Sequence, residues 1–346
     1  MDYTPFMKHC IELAKLGSGN VSPNPLVGCV VLDKNNNIIS RGYHHYCGGN
    51  HAERDALLKL TNNEAEGGTF IVNLEPCSHY GKTPPCADFI IEKHLKRVVI
   101  GMRDVNPIVA GKGIKKLKDA GIEVIEGILE NECKQLNEVF IKNMTEHKTF
   151  AAIKTATTLD GKIATAIGDS KWITSDLARD EVKNIRKRYD AILTSSGTVI
   201  ADNPTMAHKK KIIVDRELKT NFEGAKIYKE GEIYVFYDEA LNPPAISNIH
   251  FIKSPVTNNK IFPEFILKKL YELGIMSVLV EAGGHMNGSF LDYADKIYQF
   301  IAPKIIGDNS AKSAYDYRQI DKISDAKKFT VQEIQQFPPD FLVILK

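Results

Sequence analysis

The sequence predicts two successive α/β domains, and three observations lead there. The chain has 346 residues, about the length of two ordinary single-core domains. Short apolar strand-like runs alternate with segments of helical periodicity along its length, the pattern of sheets covered by helices. A long helical stretch, Glu130 to Glu146, ends in polar residues, and a new run of strands opens at Phe150. The domains are therefore placed at residues 1–147 and 148–346.

In the first domain, Phe6, Met7, Cys10, Leu13 and Ala14 recur at helical spacing with Glu12 and Lys15 opposite, so the chain opens on an amphipathic helix. It lacks the basic start, apolar core and cleavage site of a signal peptide. Leu26 to Leu32 reads as a strand that Asn35-Asn36-Asn37 turns into another, Ile38 to Gly42. His51 to Leu60 has helical periodicity, Thr69 to Leu74 is a strand and Ala87 to Leu95 a helix. Arg97 to Gly101 (strand), Gly113 to Ala120 (helix) and Ile122 to Ile125 (strand) follow. This alternation predicts a largely parallel sheet covered on both faces.

After Phe150 the strands read are Ala191 to Leu193, Lys211 to Val214, Ile233 to Tyr237, Ser277 to Glu281, Lys296 to Ala302 and Phe341 to Leu345. Helices fall near Ser175 to Lys187, Pro263 to Leu273 and Gly288 to Tyr293, and Asn242-Pro-Pro and Val256 to Lys260 read as surface loops.

Composition narrows the function. At 43% hydrophobic and 25% charged, the chain is of ordinary globular type. A net charge of +2 gives no global basic field and argues against a nucleic-acid partner. No apolar stretch approaches the ~18 residues of a membrane span. Six cysteines without a secretory signal point to a reducing compartment, the cytoplasm by default.

The chemistry concentrates in residues 51–86. His51-Ala52-Glu53 opens a helix, Pro76-Cys77 follows a strand, and Cys86 comes after the loop Ser78 to Pro85. Three ligands, His51, Cys77 and Cys86, leave one zinc position for water, the open arrangement that catalytic zinc needs. The metal lowers the pKa of that water toward ~7, and Glu53 stands where it can carry a proton from water to a leaving amine. His-x-Glu followed by Pro-Cys and a further cysteine is the signature of nucleobase deaminases. A closed structural site recruiting Cys47 or His45 is the alternative; Cys10, Cys29 and Cys133 sit in apolar periodic positions and read as core.

Eight residues separate Cys77 from Cys86, where most zinc deaminases have two. The run Pro76-Cys-Ser-His-Tyr-Gly-Lys-Thr-Pro-Pro-Cys86 resembles the deaminase half of the bifunctional riboflavin-biosynthesis deaminase–reductase family. So do Pro23-Asn24-Pro25, Val27-Gly28-Cys29, Gly42-Tyr43-His44, Asp104-Val105-Asn106-Pro107 and Gly111-Lys112-Gly113. The resemblance implies a cytidine-deaminase-like αβα domain that hydrolyses the 2-amino group of a phosphoribosylamino-diaminopyrimidinone. It places Asn24 and His44 against the pyrimidine or its sugar and Lys82 against the phosphate, with Asp104 and Asn106 nearby.

In the second domain the usual Gly-x-Gly-x-x-Gly fingerprint is absent. A strand runs instead into Ala282-Gly283-Gly284-His285-Met286-Asn287-Gly288-Ser289, where glycines before a helix suit either a phosphate or a plain turn. Lys154-Thr-Ala-Thr-Thr-Leu-Asp-Gly-Lys162, Ser170-Lys-Trp-Ile-Thr-Ser175 and Thr194-Ser-Ser-Gly-Thr-Val-Ile-Ala-Asp-Asn-Pro204 resemble the reductase half of the same family. That half is similar in fold to dihydrofolate reductase, and it implies NADPH and reduction of a ribosyl to a ribityl group. It implies cofactor contacts from Ala156, Trp172, Thr198, Asp202 and the turn Gly283, Gly284, His285, Met286, Asn287, Gly288, Ser289. It implies substrate contacts from Lys154, Ser170, Arg186, Met206 and Glu281. Two departures stand out: the stretch from Asp202 to Val214 is short, and Lys209, at the position expected to meet the substrate phosphate, replaces the usual arginine. It keeps the charge without the fork, with a solvated Lys209-Lys210-Lys211 run as its alternative reading. Arg216 is a candidate partner for an adenosine 2′-phosphate, and Trp172 has a core aromatic as its alternative reading.

The expected partner is thus a small phosphorylated pyrimidine, with no nucleic acid and no membrane. Oligomeric state is not written in the residues; a homo-oligomer is the expectation. Two other readings stay open: a nucleic-acid base deaminase with an accessory domain, and a structural zinc site beside a binding module.

Overall fold

The computed structural model describes residues 1–78, 84–106, 110–316 and 319–346. They divide into two compact units, Met1–His147 and Lys148–Lys346. Among the described residues no helix is long and apolar enough to cross a membrane.

In unit 1 the elements run α1 (Thr4–Lys15), β1 (Gly28–Leu32), β2 (Ile38–Tyr43), α2 (Ala52–Leu57), α3 (Asn62–Ala65) and β3 (Thr69–Leu74). They continue through α4 (Cys86–Glu92), β4 (Arg97–Met102), α5 (Lys112–Asp119), β5 (Glu123–Glu126), α6 (Glu130–Leu136) and α7 (Glu138–Glu146). The sheet order among the described residues is β2-β1-β3-β4-β5. The sheet is mixed where a largely parallel one is expected: β1 pairs antiparallel with β2 and β3, and only β3–β4 and β4–β5 are parallel. The cause is the tight turn after β1, where the Asp33 carboxylate accepts the Asn35 and Asn37 backbone N–H groups at 2.8 Å and folds the chain into a hairpin. Both faces of the sheet are covered. Met7 and Cys10 of α1 and Cys133 of α6 pack with Val30, Ile71 and Val99. On the other face Ala52, Ala56, Ile90 and Leu117 pack with Val31, Val72 and Val98.

Residues 130–146 form two helices rather than one long one. Asn137 leaves the helical conformation (φ −105°, ψ 21°) and is buried. Its side-chain oxygen accepts the Leu26 N–H at 2.8 Å while its amide donates to the Leu26 carbonyl at 3.0 Å. Asn73, also buried, donates to the same carbonyl and accepts the Gly28 N–H. Two asparagines thus fix the segment that follows Asn24-Pro25.

Unit 2 runs β6 (Phe150–Thr158), β7 (Lys162–Ala164), α8 (Asp176–Lys187), β8 (Ala191–Ser195), α9 (Ser196–Asp202), β9 (Lys210–Val214), β10 (Glu232–Asp238) and β11 (Ile249–Ser254). It ends with α10 (Pro263–Glu272), β12 (Ser277–Val280), α11 (Gly284–Phe290), β13 (Lys296–Ala302), β14 (Lys312–Ser313), β15 (Val331–Phe337) and β16 (Asp340–Leu345). Its main sheet, among the described residues, has the order β11-β10-β9-β8-β12-β6-β13-β16-β15. The pairings from β11 to β13 are parallel, and β16 and β15 add an antiparallel edge. α11 begins four residues earlier than Gly288. Gly284 and Gly288 permit this, because a Cβ at either would overlap the carbonyl oxygen of Ser313 or Asp316. Both glycines serve close packing of the protein's own chain.

Replacing Asn137 with alanine strands the Leu26 N–H and leaves its carbonyl the Asn73 amide alone, so unit 1 is expected to lose about 1–3 kcal/mol. Denaturant unfolding of the variant followed by far-UV circular dichroism checks this, with reductase turnover unchanged in native buffer.

Candidate active sites

The unit 1 site begins with the central strand β3, whose six residues are all buried and deliver the following Glu75-Pro76-Cys77 just beyond its carboxyl end. His51 is the N-cap of α2 and Cys86 the first residue of α4, so two helix starts face the strand end. Gly42 allows α2 to lie against β2, since a Cβ there would overlap the Ala52 carbonyl. The His51 Nδ1 atom lies 3.7 Å from Cys77 Sγ and 3.4 Å from Cys86 Sγ, and the Cys86 N–H donates to Cys77 Sγ at 3.3 Å. All three ligand atoms fall within 4.8 Å of one another. Zinc with bonds of ~2.3 Å to sulfur and ~2.0 Å to nitrogen sets tetrahedral S···N edges of about 3.5 Å. The residues fit the metal. Cys47 is exposed and His45 pairs with Asp55 at 3.3 Å, and among the described residues neither joins the cluster.

The cluster is titratable. The Cys77 thiol is held down to about 4, first by the hydrogen bond from Cys86 and also by His51. Cys86 is pushed up, first because it keeps the proton it shares with Cys77. His51 is raised by its contact with the Cys77 sulfur. Burial pushes the Glu53 carboxyl up to about 7, and the neighbouring Cys77 thiolate adds to the rise. At that value it can both take and give a proton near neutrality.

Asn24 and His44 stand beside this cluster. The Asn50 carbonyl, 2.9 Å from His44 Nδ1, can only accept, so Nδ1 carries the hydrogen. His44 Nε2 then accepts from the Asn24 amide at 3.0 Å, and the His44 ring meets that of His51 edge-on at 5.6 Å. Burial holds the His44 pKa below that of a free imidazole, keeping it neutral. Lys82 lies outside the described residues. Asp104 and Asn106 are tied to the ligand segment by a residue that the motif reading did not single out, Glu75. Its buried carboxylate accepts the Asp104 and Gly111 N–H groups on one oxygen and those of Gly113 and Ile114 on the other, at 3.0–3.2 Å. The available signal was its place directly before Pro76-Cys77.

Unit 2 contains a cleft of about 1280 Å³ at the carboxyl ends of β6, β8 and β12. Lys154, Ala156, Ser170, Trp172 and Arg186 line it, as do Thr198, Asp202 and Met206. Glu281, Gly283, Gly284, His285 and Met286 complete the expected set found there. Trp172 is 63% exposed and stacks on the Arg179 guanidinium at 4.3 Å, which removes the core reading. At the centre is Glu281. Burial pushes its carboxyl up, but Lys154 at 3.5 Å and the Arg186 fork at 2.6 and 2.9 Å outweigh this and hold it ionised. Arg186 therefore spends two of its donors on Glu281 and offers a ligand what remains.

Five expected contacts do not line the cleft. The Lys209 carbonyl is bound to the Glu232 N–H at 2.8 Å, which sets that residue into the β9–β10 corner. Arg216 is turned to Asn259 at 3.0 Å and pairs with Glu217. Asn287 is buried and donates to the Ala314 carbonyl, Gly288 packs on Asp316, and the Ser289 hydroxyl donates to the Met286 carbonyl. The phosphate reading of the glycine turn narrows to Gly283, which has nothing within 4 Å of a Cβ position. Arg179 and Lys183 also face the cleft; with Arg186 they repeat along one side of α8, a spacing visible in the sequence.

An αβα sheet carrying an open thiolate–imidazole site and a buried glutamate, joined to a parallel sheet with a cation-lined cleft, defines a zinc-dependent deaminase coupled to a reductase. Comparison with known proteins gives the particular family. A family model for the cytidine and deoxycytidylate deaminase zinc-binding region matches residues 2–102, and one for the RibD C-terminal domain matches residues 149–343. The riboflavin biosynthesis protein RibD of Actinobacillus pleuropneumoniae is 38% identical, over 98% of this chain and 93% of its own. That of Aquifex aeolicus is 38% identical over 99% and 97%. A crystal structure of a diaminohydroxyphosphoribosylaminopyrimidine deaminase/5-amino-6-(5-phosphoribosylamino)uracil reductase from Thermotoga maritima is 42% identical. It superposes with a TM-score of 0.90 over 99% of this chain and 98% of its own. The chain belongs to the RibD family of riboflavin-biosynthesis proteins. It is a bifunctional enzyme, a hydrolase with a zinc-binding deaminase domain and an NADPH-dependent oxidoreductase.

Because His51 and Cys86 both hold protons more tightly than free side chains do, zinc must displace them. Zinc affinity is expected to fall as the pH drops from 8 to 6, by up to about tenfold per proton per unit. Competition with a chromophoric chelator measures it.

Proposed function

We propose that residues 1–147 hydrolyse the 2-amino group of a 2,5-diamino-6-ribosylamino-pyrimidinone 5′-phosphate and that residues 148–346 then reduce its ribosyl group. The product is 5-amino-6-ribitylaminouracil 5′-phosphate. The observation that carries the first half is the buried Glu53 beside a three-ligand cluster of tetrahedral dimensions. His51, Cys77 and Cys86 would hold zinc, which supplies Lewis acidity to a water in the open position. Glu53 takes a proton from the attacking water and passes it to the 2-amino group, which leaves as ammonia. Asn24 offers donor and acceptor to the pyrimidine edge, oriented by neutral His44. Lys82, Asp104 and Asn106 are assigned to the phosphoribosyl end.

In the second half NADPH supplies the hydride. Ala156, Trp172, Thr198, Asp202 and the Gly283–Met286 turn are assigned to the cofactor, and Lys154, Ser170, Arg186, Met206 and Glu281 to the substrate, all lining one cleft. Free cysteines and a reduced thiol cluster suit a cytoplasmic enzyme. A homo-oligomer is supported by β15, an edge strand with Val331 54% and Ile334 62% exposed. Ile334→Glu is then expected to lower the mass seen by light scattering.

Mass spectrometry of the products, with and without NADPH, tests both halves. Without NADPH the diaminopyrimidinone should exchange one amino group for oxygen; with it, two hydrogens should be added. Glu53→Gln is expected to keep its zinc and lose about 10²–10⁴-fold in deamination. Glu281→Gln should lower reductase kcat/KM about tenfold or more while sparing deamination. Full deaminase activity in Glu53→Gln would refute the mechanism.

A further inference from the structure

One buried acid of unit 1 has no place in the deamination chemistry. Glu75 is 3% exposed, and its two oxygens take four backbone N–H groups, two each. These donors come from two separate places, the Asp104 loop and the start of α5. The residue itself is joined by Pro76 alone to the ligand Cys77. α5 is docked on the same spot, since a Cβ on Gly113 would overlap the Pro76 carbonyl. The arrangement continues outward, for the Asp104 carboxylate accepts the Asn106 N–H at 2.8 Å.

We propose that Glu75 is a positioning residue for deamination, a buried carboxylate that locks the Asp104–Asn106 loop at a fixed distance from the metal ligand Cys77. A carboxylate suits the task because it only accepts, and all four neighbours only donate. Glutamine would set an NH2 group against two of those N–H groups, so either the Asp104 and Gly111 pair or the Gly113 and Ile114 pair would lose its acceptor. Aspartate would keep both oxygens but withdraw them by about one C–C bond, ~1.5 Å. Either change lets the loop move while leaving His51, Cys77, Cys86 and Glu53 unaltered. The effect should fall on substrate binding.

This inference rests on the deaminase reading above, with Asp104 and Asn106 at the phosphoribosyl end. The test uses the full chain, with zinc content, deaminase kcat and KM, and NADPH oxidation measured on the same preparation. Glu75→Gln is expected to keep stoichiometric zinc and normal reductase activity, with deaminase KM raised about tenfold and kcat changed less than about threefold. Glu75→Asp should shift KM the same way by a smaller factor and stands in if the glutamine variant does not fold. An unchanged KM in a zinc-loaded variant overturns the proposal, as does zinc loss in proportion to lost activity, which marks Glu75 as a support of the metal site only. An inactive wild-type chain would instead strike at the deaminase reading, so the two failures are distinct.

Discussion

The fold of unit 1 is organised around a half-buried negative charge. A thiolate in a protein interior is costly unless donors surround it, and Cys77 is held as one by its neighbours. Those donors are the Cys86 backbone N–H and side chain and the His51 ring, each supplied by a helix start. Their convergence depends on packing further out. β3 is buried on both faces, which fixes where Pro76 and Cys77 emerge. Gly42 brings α2 onto β2, and Gly113 brings α5 onto Pro76. Two absent side chains thus help to shape the site, because a Cβ at either would push back the backbone beside a ligand.

Unit 2 meets the same difficulty with permanent charge. Glu281 follows β12, the strand lying between β8 and β6, and Lys154 reaches it from β6. Ligands in parallel sheets collect at the carboxyl ends of the strands, so the sheet order alone concentrates these residues. The pair cannot be trimmed from one side, since a buried charge without its partner is strongly destabilising. Arg186 illustrates the consequence. Its fork, which the sequence offers to a phosphate, already serves Glu281 through Nε and Nη2.

How much of this is legible in the sequence depends on whether a signal is local. β3 and β13 are read from end to end because their buried strands are rich in apolar and aromatic residues. β11 and β15 are missed because edge strands carry polar residues on their open side. The zinc ligands and Glu53 are legible because their spacing is the chemistry. Asn137 is not: a polar residue inside a helical stretch reads as solvent-facing, and only the fold shows it bonded to Leu26, 111 residues away. That Lys209 and Arg216 lie outside the cleft lining is not legible for a related reason, since a cation near a strand end carries no mark of the direction it will take. The glycines of the 283–289 turn are ambiguous in principle. A glycine records that something comes close, and in Gly284 and Gly288 that something is Ser313 and Asp316.

The two units also differ in what their central acids are asked to do, and the surroundings follow from that. Glu53 sits where burial and a thiolate oppose ionisation and outweigh the nearby His51 ring, which favours it, as the proposed proton transfer requires. Glu281 is held charged, because two cations overcome an equally complete burial. Glu75 is a third solution: it is buried, and four backbone dipoles take up both of its oxygens. Backbone donors survive every substitution except proline and do not titrate, which makes them suited to holding a loop at constant geometry. On the proposed reading, three buried glutamates of one chain divide into proton carrier, charge anchor and brace, and in each the neighbours decide which.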